Sequence, residues 1–284
     1  MTKFILNIHC LDQKGIIATV TNFIHQNKGN ILYIDQYVDR ENALFFMRLE
    51  CEFIQNNFSK KDFIETFNVN VKEPFQLTYE LYDLNNRPKM ALFVSKYDHC
   101  LYDILARSQS NEFEVDIPFI LSNHTDLKPI ADRFDIPFYH VPVHKDKKAQ
   151  AEEQQLEILK KHKIEYVVLA RYMQIISPKL ISHFPNKIIN IHHSFLPAFP
   201  GARPYHSAYN RGVKIIGATS HYVTEELDAG PIIEQNITQV SHLHSIEDFI
   251  AKGRDLERIV LAKAIQLHLK RKVMVYQNKT VVFS

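Results

Sequence analysis

The chain has 284 residues, 45% of them apolar and 23% charged, a make-up that fits a folded protein with room for two cores and excludes a disordered one. A formal net charge of +2 is too small to point to nucleic acid, and the basic runs at 145–148 and 160–163 have acidic residues among or after them and no aromatic platform, so they are expected as solvated helix faces. Three scattered cysteines, Cys10, Cys51 and Cys100, exclude a disulfide framework and a zinc-cysteine site, and no run reaches the ~18 apolar residues of a membrane span. The opening MTKFILNIHC is too short in apolar residues for a secretory leader, so a cytoplasmic protein is expected.

Residues 3–10 alternate as a strand. After the turn signal Asp12–Gly15, the spacing of Ile16, Ile17, Val20, Phe23 and Ile24 predicts one apolar helix face, stopped at Lys28-Gly29-Asn30. The strand-like runs ILYIDQYV and ALFFMRLECEF follow, joined by a turn over Asp39–Asn42. A short helix around Phe63, Ile64 and Phe67 and a strand near Phe75–Leu81 complete a β-α-β-β-α-β order, the ferredoxin-like unit. The polar segment YDLNNRPK has no periodicity, so the domains are expected at 1–82 and 90–284, with a linker at 83–89.

Beyond it strands alternate with helices: MALFVS then CLYDILAR, VDIPFILS then LKPIADRF, FYHVPV then a polar helix over 147–162, YVVLA then SPKLISHF, and last KIINIH. Nearly all-apolar strands between helices predict a mostly parallel sheet covered on both faces, an α/β domain. In such sheets ligands bind beyond the carboxyl ends of the strands, which is where KIINIH runs out into HSFLP.

Asn190 and His192 are two apart, so on a continuing strand their side chains leave on one face. An amide and an imidazolium are the donors that an oxyanion on a tetrahedral carbon requires. In HYVTEELDAGP, Asp228 supplies a carboxylate that can tune a histidine or hold a water. Each has a plainer reading: a histidine after a strand is usually structural, and Asp before Gly-Pro usually forms a turn. No GxSxG elbow surrounds Ser194, and His192, His193, His206 and His221 show no metal-ligand spacing, so neither a serine nucleophile nor a metal is expected. The residues alone support an α/β enzyme with acyl chemistry as one option.

The run INIHHSFLPAFPGARPYHSAY, with LARYMQIISP before it and GATSHYVTEELDAGPII after it, resembles the folate-dependent formyltransferase family. CLDQKGIIATVTNFIHQNKGNILYIDQYVD resembles an ACT domain, a ferredoxin-like regulatory module, and the pairing is that of the family's hydrolytic members. The resemblance implies a Rossmann-like catalytic domain in which Asn190, His192 and Asp228 are catalytic, and His221 supports the aspartate. It implies that His193 supports the site, and that Met173, Gln174, Ile175 and Ile176 meet the pterin of a folate under a loop carrying Val223, Glu225 and Glu226. Gln174 departs from the arginine common in the transferases.

Glycinamide ribonucleotide transformylases carry a Gly-rich phosphate loop after the first strand of this domain. Here that position reads VSKYDHCLYDIL, without glycine, and Ser95–Cys100 match the SKxxHC signature of the hydrolytic branch. The activity implied is hydrolysis of 10-formyltetrahydrofolate to formate and tetrahydrofolate, with no cofactor, supplying formate for purine synthesis and balancing one-carbon pools. The alternatives are formyl transfer to an amine or tRNA, and a silent folate- or amino-acid-sensing protein. The ACT resemblance implies a homo-oligomer; the small net charge and the lack of a long apolar run leave no nucleic-acid or membrane partner expected. A loop at Leu11, Asp12 and Gly15 would either hold glycine or methionine as effector or be purely architectural.

Overall fold

Period-two alternation and period-3.6 stripes give the elements expected of them in the computed structural model, which describes residues 2–54, 58–198 and 204–283. The stretch FPGAR at 199–203 lies outside the described residues. The chain divides into two units, residues up to Arg87 joined by those from Val281 on, and Pro88–Thr280.

In the first unit β1 (Thr2–Leu11), α1 (Ile16–Gln26), β2 (Gly29–Asp39) and β3 (Leu44–Phe53) are followed by α2 (Lys60–Phe67), a π turn (Asn68–Lys72), α3 (Glu73–Phe75) and β4 (Thr78–Asp83). The strands lie in the order β2-β3-β1-β4, and β1 pairs antiparallel with both β3 and β4. This is the ferredoxin-like arrangement. Phe4, Phe23, Phe53, Phe63 and Phe67 pack ring against ring in its core; Phe63 meets Phe23 edge-on at 5.3 Å.

Two expectations are corrected. Ile17 is not on the buried face of α1: it is 41% exposed at the rim of the stripe, whose centre lies among Ile16, Val20 and Phe23. Phe75 does not start the last strand. Pro74 stands in the first turn of α3, where its missing N–H costs nothing, so the helical path continues through Phe75 and β4 begins at Thr78.

The second unit contains β5 (Met90–Val94), α4 (His99–Gln109), β6 (Ile120–Ser122), α5 (Lys128–Arg133), β7 (Phe138–His140), α6 (Lys148–Lys161), β8 (Tyr166–Leu169), α7 (Pro178–His183) and β9 (Ile188–His192). It continues with α8 (Pro204–Arg211), β10 (Ile215–Tyr222), β11 (Ile232–Gln239) and the long α9 (Ile246–Leu269). A terminal hairpin pairs β12 (Val273–Tyr276) with β13 (Lys279–Val282). Among the described residues the large sheet runs β11-β10-β9-β8-β5-β6-β7, with β5 to β9 parallel and β10 and β11 added antiparallel. The inner parallel strands β5, β6 and β8 are buried along their whole length, as at Met90–Val94, where helices cover both faces, while the edge strand β7 is only partly buried. No helix among the described residues is long and apolar enough to cross a membrane.

The antiparallel addition positions the site. It sets His221 opposite Asn190 and Thr219 opposite His192, so β10 delivers its side chains to the carboxyl end of β9. The Thr219 hydroxyl donates to the Ser194 carbonyl at 2.9 Å and accepts the Leu196 N–H at 3.0 Å, which fixes the segment leaving β9.

Candidate active site

A pocket of about 290 Å³ opens beyond the ends of β8 and β9. Its lining includes Asn190, His192, His193, His221 and Asp228, the wall Met173–Ile176, and the loop residues Val223, Glu225 and Glu226. The candidates drawn from the second half of the chain therefore share one cavity. Leu11, Asp12 and Gly15 belong to the other unit; Leu11 is 67% exposed, and Gly15 has φ 96° at the start of α1.

Asn190 and His192 leave β9 on the same side because strand side chains alternate. His192 is buried and its Nδ1 lies 3.3 Å from Asp228 Oδ2, the long end of a hydrogen bond. That hydrogen bond keeps the Asp228 carboxyl below the ordinary carboxylate value, against a partial burial that works the other way. Asp228 has φ 55°, a left-handed turn conformation that a short polar side chain tolerates.

His221 has a partner beyond the one expected. Its Nδ1 is 2.9 Å from the Tyr222 carbonyl and so carries the hydrogen, which leaves Nε2 to accept from Asn190 Nδ2 at 3.2 Å. Asp228 Oδ1 is 3.8 Å from Nε2, too far for a hydrogen bond but within ion-pair reach, so His221 stands beside the aspartate as well as bonding Asn190. Burial lowers the His221 pKa and holds the ring neutral, as this arrangement requires.

The loop carrying Asp228 is closed at its base. Val223 N–H donates to the Ile188 carbonyl and Tyr222 N–H to the Pro231 carbonyl, each at 2.9 Å. Gly230 sits so close beneath this base that a Cβ there would lie 1.9 Å from the Tyr222 oxygen.

The role of Ser95–Cys100 was not legible in sequence. The Ser95 hydroxyl donates to Asn123 Oδ1 at 2.6 Å and accepts the Met173 N–H at 3.0 Å, bracing the pocket wall. His99 Nε2 lies 2.8 Å from Glu257 Oε2 on α9; Arg171 Nε is 3.3 Å from the same oxygen, and the Tyr205 hydroxyl donates to Oε1 at 2.5 Å. Burial disfavours the Glu257 charge, but His99 and Arg171 outweigh it and hold the carboxyl below its ordinary value. His99, Cys100 and Glu257 have potential metal-ligand atoms within 4.8 Å of one another. They do not fit a metal: the Glu257 oxygens are already engaged, a guanidinium stands beside them, and burial pushes the Cys100 thiol well up, away from the thiolate. Arg171, Tyr205 and Glu257 were missed by sequence reasoning; only Arg171 had a local signal, lying in LARYM at the end of a strand.

Two buried histidines predict a pH-dependent stability. Burial pushes His268 down to about 3 and lowers His221, both from an ordinary 6.5. Their contribution is fully present above pH 6.5 and is lost as pH falls from there toward the folded-state values, because the unfolded chain takes up protons that the folded chain refuses. The thermal midpoint is expected to fall between about pH 7.5 and 5.5, roughly one unit either side of the ordinary histidine value, and less steeply in His268→Gln. An equal slope in that variant would remove His268 from the account.

A formyl transferase family model matches residues 88–265 and an ACT domain model residues 4–55. A formyltetrahydrofolate deformylase of Synechocystis sp. is 50% identical, the match covering 98% of each chain; one from Bacillus subtilis is 44% identical, covering 98% of this chain and 93% of the other. The crystal structure of a formyltetrahydrofolate deformylase from Pseudomonas syringae pv. tomato superposes with a TM-score of 0.97 at 45% identity, over 100% of this chain and 95% of that one.

Proposed function

The chain belongs to the formyltetrahydrofolate deformylase family, and from that premise we propose that it hydrolyses 10-formyltetrahydrofolate to formate and tetrahydrofolate at the pocket beyond β8 and β9. The observation that carries the proposal is one cavity lined by two hydrogen-bond donors, a carboxylate and an apolar wall. Met173 and Ile175 are 44% and 58% exposed there, which suits the flat face of a pterin.

In this mechanism Asp228 holds a water and, directly or through His192, accepts its proton as the oxygen attacks the formyl carbon on N10. The Asn190 amide, turned by neutral His221, and the protonated His192 ring donate to the oxyanion. Collapse breaks the C–N bond, the proton is delivered to N10, and formate and tetrahydrofolate separate. No cofactor enters these steps. His193, buried with its ring 5.2 Å from that of His192, limits the movement of the catalytic imidazole.

The same proposal gives the N-terminal unit a regulatory role: a small amino acid, glycine or methionine, held at Leu11–Gly15, in a cytoplasmic homo-oligomer. In its support, no side chain among the described residues caps the start of α1 at Gly15, and a helix start lacking a side-chain cap leaves N–H donors for another acceptor. Purified protein given 10-formyltetrahydrofolate and no acceptor is expected to yield formate and tetrahydrofolate in equal amounts, at a rate that glycine changes. Formyl transfer only on adding an amine would overturn hydrolysis; a rate indifferent to glycine and methionine would leave the N-terminal unit architectural.

A further inference from the structure

The hydrolytic steps leave the group around Glu257 unused, although Arg171 reaches the pocket wall. Among the described residues lining the pocket Arg171 is the one arginine or lysine, and the carboxylates are Glu225, Glu226 and Asp228. In the parallel register Leu169, the last residue of β8, pairs with Asn190 of β9, and Arg171 follows it by two residues. Its backbone has φ 62°, a region in which a residue bearing a Cβ costs roughly 1–2 kcal/mol and glycine does not. A strained arginine in a pocket wall points to work done by its side chain.

The guanidinium is held on two sides. Nε faces Glu257 Oε2 at 3.3 Å, and the group lies over the Tyr97 ring, 4.7 Å from its centroid. Glu257 is itself fixed by His99 and Tyr205. Among the described residues no hydrogen bond uses Arg171 Nη1 or Nη2, and this pair of parallel donors is the fork that grips a carboxylate in bidentate fashion. Glu257 shares the charge, which keeps such a grip weak enough to release.

We propose that Arg171, held by Glu257 and Tyr97, is a subsite for a small monocarboxylate, the formate that hydrolysis produces. This rests on the hydrolytic reading above. The anion is born next to Asp228, and Arg171 draws it off the carboxylate side of the pocket, clearing the way for the next water.

The test is ¹³C-formate line broadening by the full chain, titrated with acetate as competitor, alongside turnover measured on the same sample. Wild-type protein is expected to broaden formate saturably, acetate to reverse this, and Arg171→Gln to weaken binding at least about 10-fold, the scale of losing a charge-assisted pair. Tyr97→Leu keeps the Glu257 pair and is expected to weaken binding a few-fold; it serves if Arg171→Gln does not fold. Unsaturable broadening by the wild type, or formate bound equally by both variants, would overturn the subsite. Formate made by turnover with binding indifferent to Arg171 sinks the subsite and spares the hydrolase. Binding that depends on Arg171 without any formate made does the reverse.

Discussion

Replacing Asn190 or His192 by alanine lowers the turnover of 10-formyltetrahydrofolate by about 100- to 1000-fold each, the usual loss when one donor to an oxyanion is removed. Neither change should unfold the protein. Among the described residues the Asn190 side chain bonds His221 alone, and the polar contact of His192 is the 3.3 Å approach to Asp228. The loss should therefore appear in kcat with KM little changed, since folate is held by the Met173–Ile176 wall and the 223–228 loop. Because both donors serve one oxygen, the double variant should lose less than the product of the single losses. Full multiplicativity, or a variant with near wild-type kcat, would place the oxyanion elsewhere.

Gly230→Ala is expected to be nearly as damaging, from a position that touches no substrate. Its Cβ would lie 1.9 Å from the Tyr222 oxygen and 3.2 Å from Thr224 Cγ2, so the loop or the strand end must move by more than an ångström. That oxygen accepts the His221 Nδ1–H, and His221 in turn orients Asn190. The loop also carries Asp228. A displacement of about 1 Å in reacting groups costs on the order of 100-fold in rate. The comparison is Gly230→Ala against Ala229→Gly, assayed for kcat and melting point. An alanine variant with unchanged kcat would show that the loop base is slack and that His221 does not transmit its position.

How much of this was legible in the chain depended on distance along it. Asn190 and His192 were readable because a buried strand dictates that residues two apart share a face. His221 lies only 31 residues from the asparagine it meets, yet that contact was not foreseen: the sequence contains no sign that β10 turns antiparallel beside β9 and takes Nδ1 for its own backbone. The final helix α9 went unread although Ser245 and Asp248 form a capping box at its start, a signal that was present. Ser95 and His99 were visible as a motif without a function, because what they bind, Met173 and Glu257, is 78 and 158 residues away. Local periodicity carries no information about such partners. Arg171 in a left-handed turn is likewise a tertiary fact, since nothing in LARYM announces φ 62°.

The link between His99 and Glu257 spans 158 residues, from the first helix of the second unit to its last. During synthesis, β5, β8, β9 and the 190–228 stretch leave the ribosome before α9 does. The catalytic groups can meet through the β9–β10 pairing alone, but the carboxylate that anchors Arg171 is delivered only with α9. Closing so long a loop is slow and is rewarded only when nearly all of the unit is in place. A nascent or truncated chain ending before α9 would thus hold an arginine and a histidine in its half-formed cleft without their counter-charge. The charge balance beside Arg171 is therefore set only once α9 has packed against α4.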